Sequence, residues 1–310
     1  MRHANMAGTS PLGGVLMAMG DDHTGESSTT LHQSDFALID AMMPILSPAG
    51  VQEILDYGLL GIAMSRFAGV WVGLKCTKDT IEVTSVVDAR NDRINISLPN
   101  LDLPDGGLNI RLVDLPINQE ERLHRYKKIA VEEFARSNKI DQHVHGKSDS
   151  KIGFVAAGKN WLDLAHSMQL LGLDEDECNL LKIKTYKIGM IWPLDTVSFK
   201  KWCQDLDFII VIEEKRKILE PQIKEVLFDN NLNCSDLAVG NNSDRIARAA
   251  AKDLSNFAKN HKNFRFFSKN LKNADRDFHE SDRNYYIKVL PFCPKVRNRK
   301  GACRLNGFQL

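Results

Sequence analysis

The chain's 310 residues can form two domains of ordinary size, and an apolar content of 43% supplies a core for each, which excludes a wholly disordered protein. Lysine plus arginine (41) nearly balance aspartate plus glutamate (40), so no net field draws the chain to nucleic acid or to an anionic membrane. No apolar run approaches the ~20 residues that cross a bilayer, and no uncharged leader follows the first residues, which points to a cytoplasmic protein with a small substrate. The cysteines at 76, 178, 203, 234, 293 and 303 include no Cys-x-x-Cys pair, so no local zinc or iron–sulfur site and no disulfide framework is indicated.

The first element is the apolar, glycine-edged run Gly13-Gly-Val-Leu-Met-Ala-Met19, which suits a strand covered on both faces. Behind it lies the polar stretch Gly20 to Asp35, a site loop at a strand's carboxyl end, where α/β proteins place ligands. Its Asp22, His23, Ser27, Ser28, His32 and Gln33 combine carboxylate, imidazole, hydroxyl and amide groups that can position a polar substrate, although such a loop can equally be a solvated turn. His23 and His32 stand out because imidazole exchanges protons near neutral pH. Ile39 to Leu46 is a second apolar run, and Ser47-Pro48 offers an N-cap with proline at the first helical position. In the helix that follows, Val51, Ile54, Leu55, Leu59 and Ile62 share the apolar face. Val70 to Lys75 reads as a buried strand, Ile94 to Leu98 alternates like a strand, and Pro104-Asp-Gly-Gly-Leu reads as a turn. Asn118 with Glu121 forms a capping pair for a helix whose stripe is Leu123, Tyr126, Ala130 and Phe134.

Downstream, Ile152 to Ala157, Leu181 to Ile188 and Phe208 to Glu213 are strand-like runs separated by helical segments near Asn160 to Leu171, Asp195 to Leu206 and Arg216 to Phe228. The alternation predicts a parallel sheet. Gly153 to Asn160 nearly spells a P-loop, but Asn160 stands where a magnesium-binding Ser or Thr belongs, so a strand, a tight turn and a helix start is the better reading. His143-Val-His145 lacks the accompanying Cys or carboxylate ligands of a metal site and reads as a surface loop. Glu213-Glu214 ends a strand where binding groups sit, and N-capping of the next helix is an equal alternative. Beyond Ser235 the polar, Asn- and Lys-rich sequence reads as linker with one helix near Arg245 to Phe257 and a disordered basic tail, Lys295 to Leu310.

The order of Asn5-Met-Ala-Gly-Thr-Ser-Pro11, the polar loop, and Met42-Met-Pro-Ile-Leu-Ser-Pro48 resembles the pyrimidine-binding domain of thiamine-diphosphate-dependent 2-oxoacid:ferredoxin oxidoreductases, above all the fused indolepyruvate:ferredoxin oxidoreductases. Lys151-Ile-Gly-Phe-Val-Ala-Ala-Gly158, Lys187 to Asp195 and Ile209 to Lys215 resemble the transketolase C-terminal-like domain that follows it. The resemblance implies an α/β protein: an incomplete pyrimidine-binding domain (1–116), a helical connector (117–150), a transketolase C-terminal-like parallel α/β domain (151–235), and linker plus basic tail (236–310). It implies an internal fragment of an enzyme that oxidatively decarboxylates arylpyruvates, passing electrons to ferredoxin and the acyl group to coenzyme A, as a homo-oligomer with the missing domains or subunits. Thiamine diphosphate, magnesium and [4Fe-4S] clusters belong to the complete enzyme. Thr9 joins the loop residues as a pocket candidate on this ground.

Two departures bear on the chemistry. In the family the glutamate that activates the pyrimidine ring precedes Asn5, and the linker runs into a Phe-Cys-x-x-Cys-Pro segment, whereas this chain reads Pro291-Phe-Cys-Pro294. Asp105-Gly-Gly107 lacks the rest of a diphosphate–magnesium motif. The expectation is therefore no complete catalytic set, no metal site and no tight cofactor binding in this chain alone. A non-catalytic module with the same folds, or an enzyme for another 2-oxo acid such as pyruvate or a branched-chain acid, are the alternatives.

Overall fold

The computed structural model describes residues 1–229 and the two strands 237–238 and 285–291. The first part comprises α1 (Arg2–Ala7), β1 (Val15–Asp21), α2 (Asp35–Asp40), β2 (Ile45–Leu46), α3 (Val51–Ala68), β3 (Trp71–Thr77) and α4 (Lys78–Ile81). After an irregular stretch come α5 (Pro116–Arg122), a π turn (Leu123–Lys127), α6 (Lys128–Ser137) and β4 (Gln142–His143). Then follow β5 (Ile152–Ala157), α7 (Gly158–Leu170), α8 (Glu175–Leu180), β6 (Ile183–Ile188), β7 (Met190–Trp192), α9 (Thr196–Cys203), β8 (Phe208–Glu214) and α10 (Leu219–Asp229), with β9 (Leu237–Ala238) and β10 (Tyr285–Pro291) beyond.

Two sheets result. The first has the order β1-β3-β2-β7, with β1, β3 and β2 parallel and β7 antiparallel to β2. The second has the order β4-β6-β5-β8-β10-β9, in which β6, β5 and β8 are parallel. The parallel strands β5 and β6 are covered on both faces: β5 is a near-continuous apolar run, and every residue of β6 is buried, Lys184, Thr185 and Lys187 included. The first run thus forms a strand, and the three downstream runs pair in parallel as expected. The chain leaves β5 first toward β6 on one side and later returns as β8 on the other, so a crevice opens at the carboxyl ends of β5 and β8.

Several local expectations are corrected. Ser47 and Pro48 do not start α3: Gly50 is its N-cap, and Glu53 reaches back to accept the Ala49 N–H at 2.7 Å. The backbone N–H of Ser47 donates to Gly189 O at 2.7 Å, joining the two parts of the chain. The inward face of α3 is Tyr57, Leu60, Gly61, Met64 and Ala68, whereas Leu55 and Leu59 are exposed. Of the run Ile39 to Leu46, only Ile45 and Leu46 pair as a strand, because Asp35 to Asp40 is helical. Ile94 to Leu98 is irregular.

The helix expected from Asn118 begins earlier, at Pro116, so the Asn118–Glu121 pair lies inside it and caps nothing. The π turn adds a residue to the helical repeat and rotates the following face: Tyr126 turns to the surface and Lys127 turns inward, fully buried. Its ammonium donates to Gly69 O at 2.9 Å and Met6 O at 3.3 Å, and burial, with Arg122 nearby, pulls its pKa down to about 8. Val131 and Phe134 of α6 belong to the same core as Tyr57, Leu60 and Met64 of α3, so this connecting helix packs on the first sheet. The stretch beyond Ser235 contains strands β9 and β10, the latter antiparallel to β8, where linker was expected. The expected helix near 245–257 and the tail 295–310 lie outside the described residues. Among the described residues, no helix is long and apolar enough to cross a membrane.

Candidate functional site

The carboxyl ends of β1, β3, β5 and β8 converge on one open cleft. His23 and Gln33 enter from the loop after β1, Lys75 and Thr77 from β3, and Ala157, Lys159 and Asn160 from the β5–α7 turn. Glu213, Glu214, Arg216, Ile218 and Leu219 enter from the end of β8 and the loop to α10, while Ile191 comes from β7. Gly158 makes the turn: its φ of +53° is left-handed, and a Cβ there would stand 2.5 Å from Ser47 Oγ.

The loop after β1 is built around Asp22. Its carboxylate accepts from the backbone N–H of Gly25 (2.8 Å), Glu26 (3.2 Å), Ser27 (2.7 Å) and Ser28 (2.7 Å) and from the Ser27 hydroxyl (3.1 Å). Burial opposes ionisation, but the N–H groups of Ser27, Ser28 and Glu26 hold this carboxyl well below the usual carboxylate range. Asp22, Ser27 and Ser28 therefore shape the loop and do not line the cleft. His32 has both ring nitrogens against carbonyl oxygens, Thr30 O and Gly20 O, each at 3.2 Å, and it too lies outside the cleft lining. Thr9 is buried at the other end of β1: its hydroxyl donates to Ser65 O at 2.8 Å, and Ser65 Oγ accepts from Val15 N. Of the seven expected pocket residues the structure brings His23 and Gln33 into the cleft and leaves Thr9, Asp22, Ser27, Ser28 and His32 out.

His23 is buried, with Nδ1 3.1 Å from His32 O. Burial, and then Lys75, push its pKa down to about 4 against the raising influence of His32 O, Asp21 and Asp35, so at neutral pH it is an uncharged imidazole. Lys75 donates to Asp35 at 2.8 Å and lies 4.0 Å from Asp21. Gln33 ties the two halves of the cleft: its amide donates to Asp35, and its Oε1 accepts from Arg216 N at 3.1 Å. Arg216 also donates to Gln33 O at 2.9 Å and stacks 4.0 Å over the Phe36 ring.

The paired glutamates separate into the two roles their sequence position left open. Glu213 is buried and accepts from Ile218 N (2.7 Å), Leu219 N (2.6 Å) and Glu220 N (3.0 Å), which makes it the cap of α10. Glu214 faces the cleft, and burial raises its pKa to about 7, with Lys75 and Lys159 lowering it and Asp79 and Asp163 raising it. Lys75 and Arg216 escaped sequence reasoning as site residues, and Lys159 and Asn160 were weighed only in the near-P-loop reading that was set aside; the only signal for Lys75 was a cation ending an apolar strand. His143 is structural: its Nδ1 accepts from Trp202 Nε1 at 3.1 Å, which leaves Nε2 to donate to Gly146 O at 2.7 Å. Among the described residues no group of three or more His, Cys, Asp or Glu is placed to hold a metal ion.

Two α/β units whose strands end on a shared charged cleft have the arrangement in which open α/β sheets place ligands. Comparison narrows the class. Residues 142–255 match the family model described as the indolepyruvate oxidoreductase domain. The chain is 25% identical over 231 residues to the indolepyruvate oxidoreductase subunit IorA of Pyrococcus abyssi, covering 71% of this chain and 33% of that protein. It is 22% identical over 236 residues to the IorA subunit of Methanothermobacter marburgensis, covering 74% of this chain and 35% of that protein. Among solved structures, the 2-oxoglutarate:ferredoxin oxidoreductase from Magnetococcus marinus with 2-oxoglutarate, coenzyme A and succinyl-CoA bound is similar at a TM-score of 0.47 and 15% identity, covering 74% of this chain and 45% of that one. The chain is thus similar to the indolepyruvate oxidoreductase domain over residues 142–255 and to IorA subunits over about 230 residues. It spans about a third of the length of the curated relatives it matches.

Proposed function

We propose that this chain forms one wall of the substrate site of an arylpyruvate oxidoreductase. The observation that supports the reading is the composition of the cleft: the cations Lys75, Lys159 and Arg216 beside an apolar patch of Ile191, Ile212, Ile218 and Leu219. An arylpyruvate has a carboxylate for the first and a flat ring for the second. Neutral His23 adds a hydrogen-bonding group that does not repel a cation-seeking ligand or bind one by charge. Ferredoxin as electron acceptor, coenzyme A as acyl acceptor, a homo-oligomeric state and a cytoplasmic setting belong to the same proposal for the complete enzyme.

The donor set does not fit the diphosphate and magnesium of the thiamine cofactor that the family implies. Asp21, Asp22, Asp35 and Glu213 are engaged in hydrogen bonds or ion pairs within the protein, and Glu214, the other carboxylate lining the cleft, cannot by itself supply the near-octahedral oxygen set that magnesium asks for. Calorimetric titration of the purified chain with thiamine diphosphate and magnesium is therefore expected to give no dissociation constant in the micromolar range or below, and no carbon dioxide release from indolepyruvate. Either signal would show that the cleft offers a ligand set not recognised in it.

The substrate half of the proposal has its own measurement. Titrating the chain with phenylpyruvate by ligand-observed NMR should show binding, weakened roughly tenfold by Arg216→Leu, since a charge-assisted hydrogen bond is worth about 1.5–3 kcal/mol. Arg216 sits at the surface end of the cleft, so its replacement leaves the core intact. Absence of binding by the unmodified chain, or equal binding by the variant, would count against the carboxylate assignment.

A further inference from the structure

We propose that Glu214 is the residue of this cleft that recognises the ring N–H of an indole-bearing 2-oxo acid, and so sets the preference for indole over other aryl groups. The inference rests on the arylpyruvate reading and goes one step deeper into the same site. Glu213 and Glu214 are adjacent at the end of β8, yet only Glu213 has its carboxylate filled by backbone donors. No hydrogen-bond donor reaches the Glu214 carboxylate among the described residues, although it lines the cleft beside Lys75 and Lys159, whose charges act on it. Asn160, at the start of α7, lines the same cleft, and its Oδ1 is buried without a partner. A carboxylate that lines the cleft and receives no donor from the described residues is free to accept from a ligand that brings an N–H.

The neighbourhood is consistent with an aromatic ring arriving there. Ile212 and Ile218 flank the glutamate pair in sequence and line the cleft with Ile191 and Leu219, so a ring can lie on apolar surface with its edge toward the carboxylate. A site built to accept from a substrate N–H rejects the analogue lacking it more strongly than an apolar pocket rejects a change of shape, because the buried acceptor is then left unpaired. Phenylpyruvate has no ring N–H, and the benzofuran analogue of indolepyruvate puts an oxygen lone pair where the N–H would be.

The test is competitive binding to the full chain by ligand-observed NMR, using indolepyruvate, its benzofuran analogue and phenylpyruvate. The unmodified chain is expected to prefer indolepyruvate over the benzofuran analogue by about tenfold or more. Glu214→Leu should abolish that preference, and Glu214→Gln, which keeps a carbonyl acceptor, should retain part of it. Equal binding of the two bicyclic acids to the unmodified chain, or an undiminished preference in Glu214→Leu, overturns the role of Glu214 and leaves the arylpyruvate reading standing. Binding of none of the three acids overturns that reading and this inference with it.

Discussion

Replacing Asp141 by asparagine should stabilise the protein at pH 8 by about 2–4 kcal/mol and should give no such gain at pH 4. Asp141 follows α6 and accepts from Gly189 N (2.8 Å) and Met190 N (3.0 Å) through Oδ1, while its Oδ2 is buried with no partner. The residue as a whole is partly exposed, but the carboxylate is not, and burial raises its pKa to about 7 against the lowering effect of those two N–H groups, with Asp195 adding repulsion. The groups turned toward it are Asp195, with its partner Arg136, and the hydroxyls of Tyr57 and Tyr186. A folded pKa raised from about 3.9 means that the folded state holds the extra proton between the two values, so stability falls as pH rises through that window. A shift of about three units corresponds to roughly 4 kcal/mol once the carboxylate is ionised in both states. Asparagine keeps the Oδ1 acceptor and removes the charge, though its amide N–H must find a partner, which lowers the expected gain. Urea unfolding of both proteins at pH 4, 6 and 8 measures the difference, and other carboxyls cancel in it. A difference that does not grow with pH would show that Asp141 is hydrated in the folded protein.

Glu213→Ala should have the opposite sign and comparable size. Removing the side chain leaves the N–H groups of Ile218, Leu219 and Glu220 without acceptors at a buried helix start, and each such group costs about 1–3 kcal/mol, offset in part by relief of the buried carboxylate. A net loss of about 3 kcal/mol is expected, with the urea m-value unchanged. Glu213→Gln, which presents one oxygen and one amide, should fall between the two. If Glu213→Ala unfolds at the same urea concentration as the unmodified protein, solvent or a rearranged Glu214 has taken over the cap.

The parallel strands were legible because burial on both faces imprints a continuous apolar run, as in Ile152 to Ala157 and Phe208 to Glu213. The phase of the connecting helix was not. Tyr126 sits on the apolar stripe of an uninterrupted α-helix, but one extra residue in the π turn moves Lys127 into the core, where two carbonyl oxygens from distant segments receive its protons. Those acceptors, at Met6 and Gly69, are tertiary neighbours that no local window contains. The site divides along the same line. The polar loop after β1 was visible by composition, yet which of its members face the cleft depends on Asp22 gathering the backbone N–H groups of Gly25 to Ser28 around itself. A carboxylate that organises a loop and one that lines a pocket read alike in one dimension. Glu213 and Glu214 show this most sharply: adjacent and chemically the same, they are separated in role by the alternation of a strand.

The three residues of β7 carry a consequence for the order of synthesis. Met190–Trp192 closes the edge of a sheet whose other strands all lie before residue 78, so that edge stays open on the ribosome while more than a hundred further residues emerge. The early half of the chain must wait, with Ile45 and Leu46 unpaired on one side, for a strand that arrives only after β5 and β6 have been made. Separating the gene between the two halves would thus yield an amino-terminal piece with a sticky edge, prone to self-association, and a carboxyl-terminal piece able to rescue it when the two are produced together.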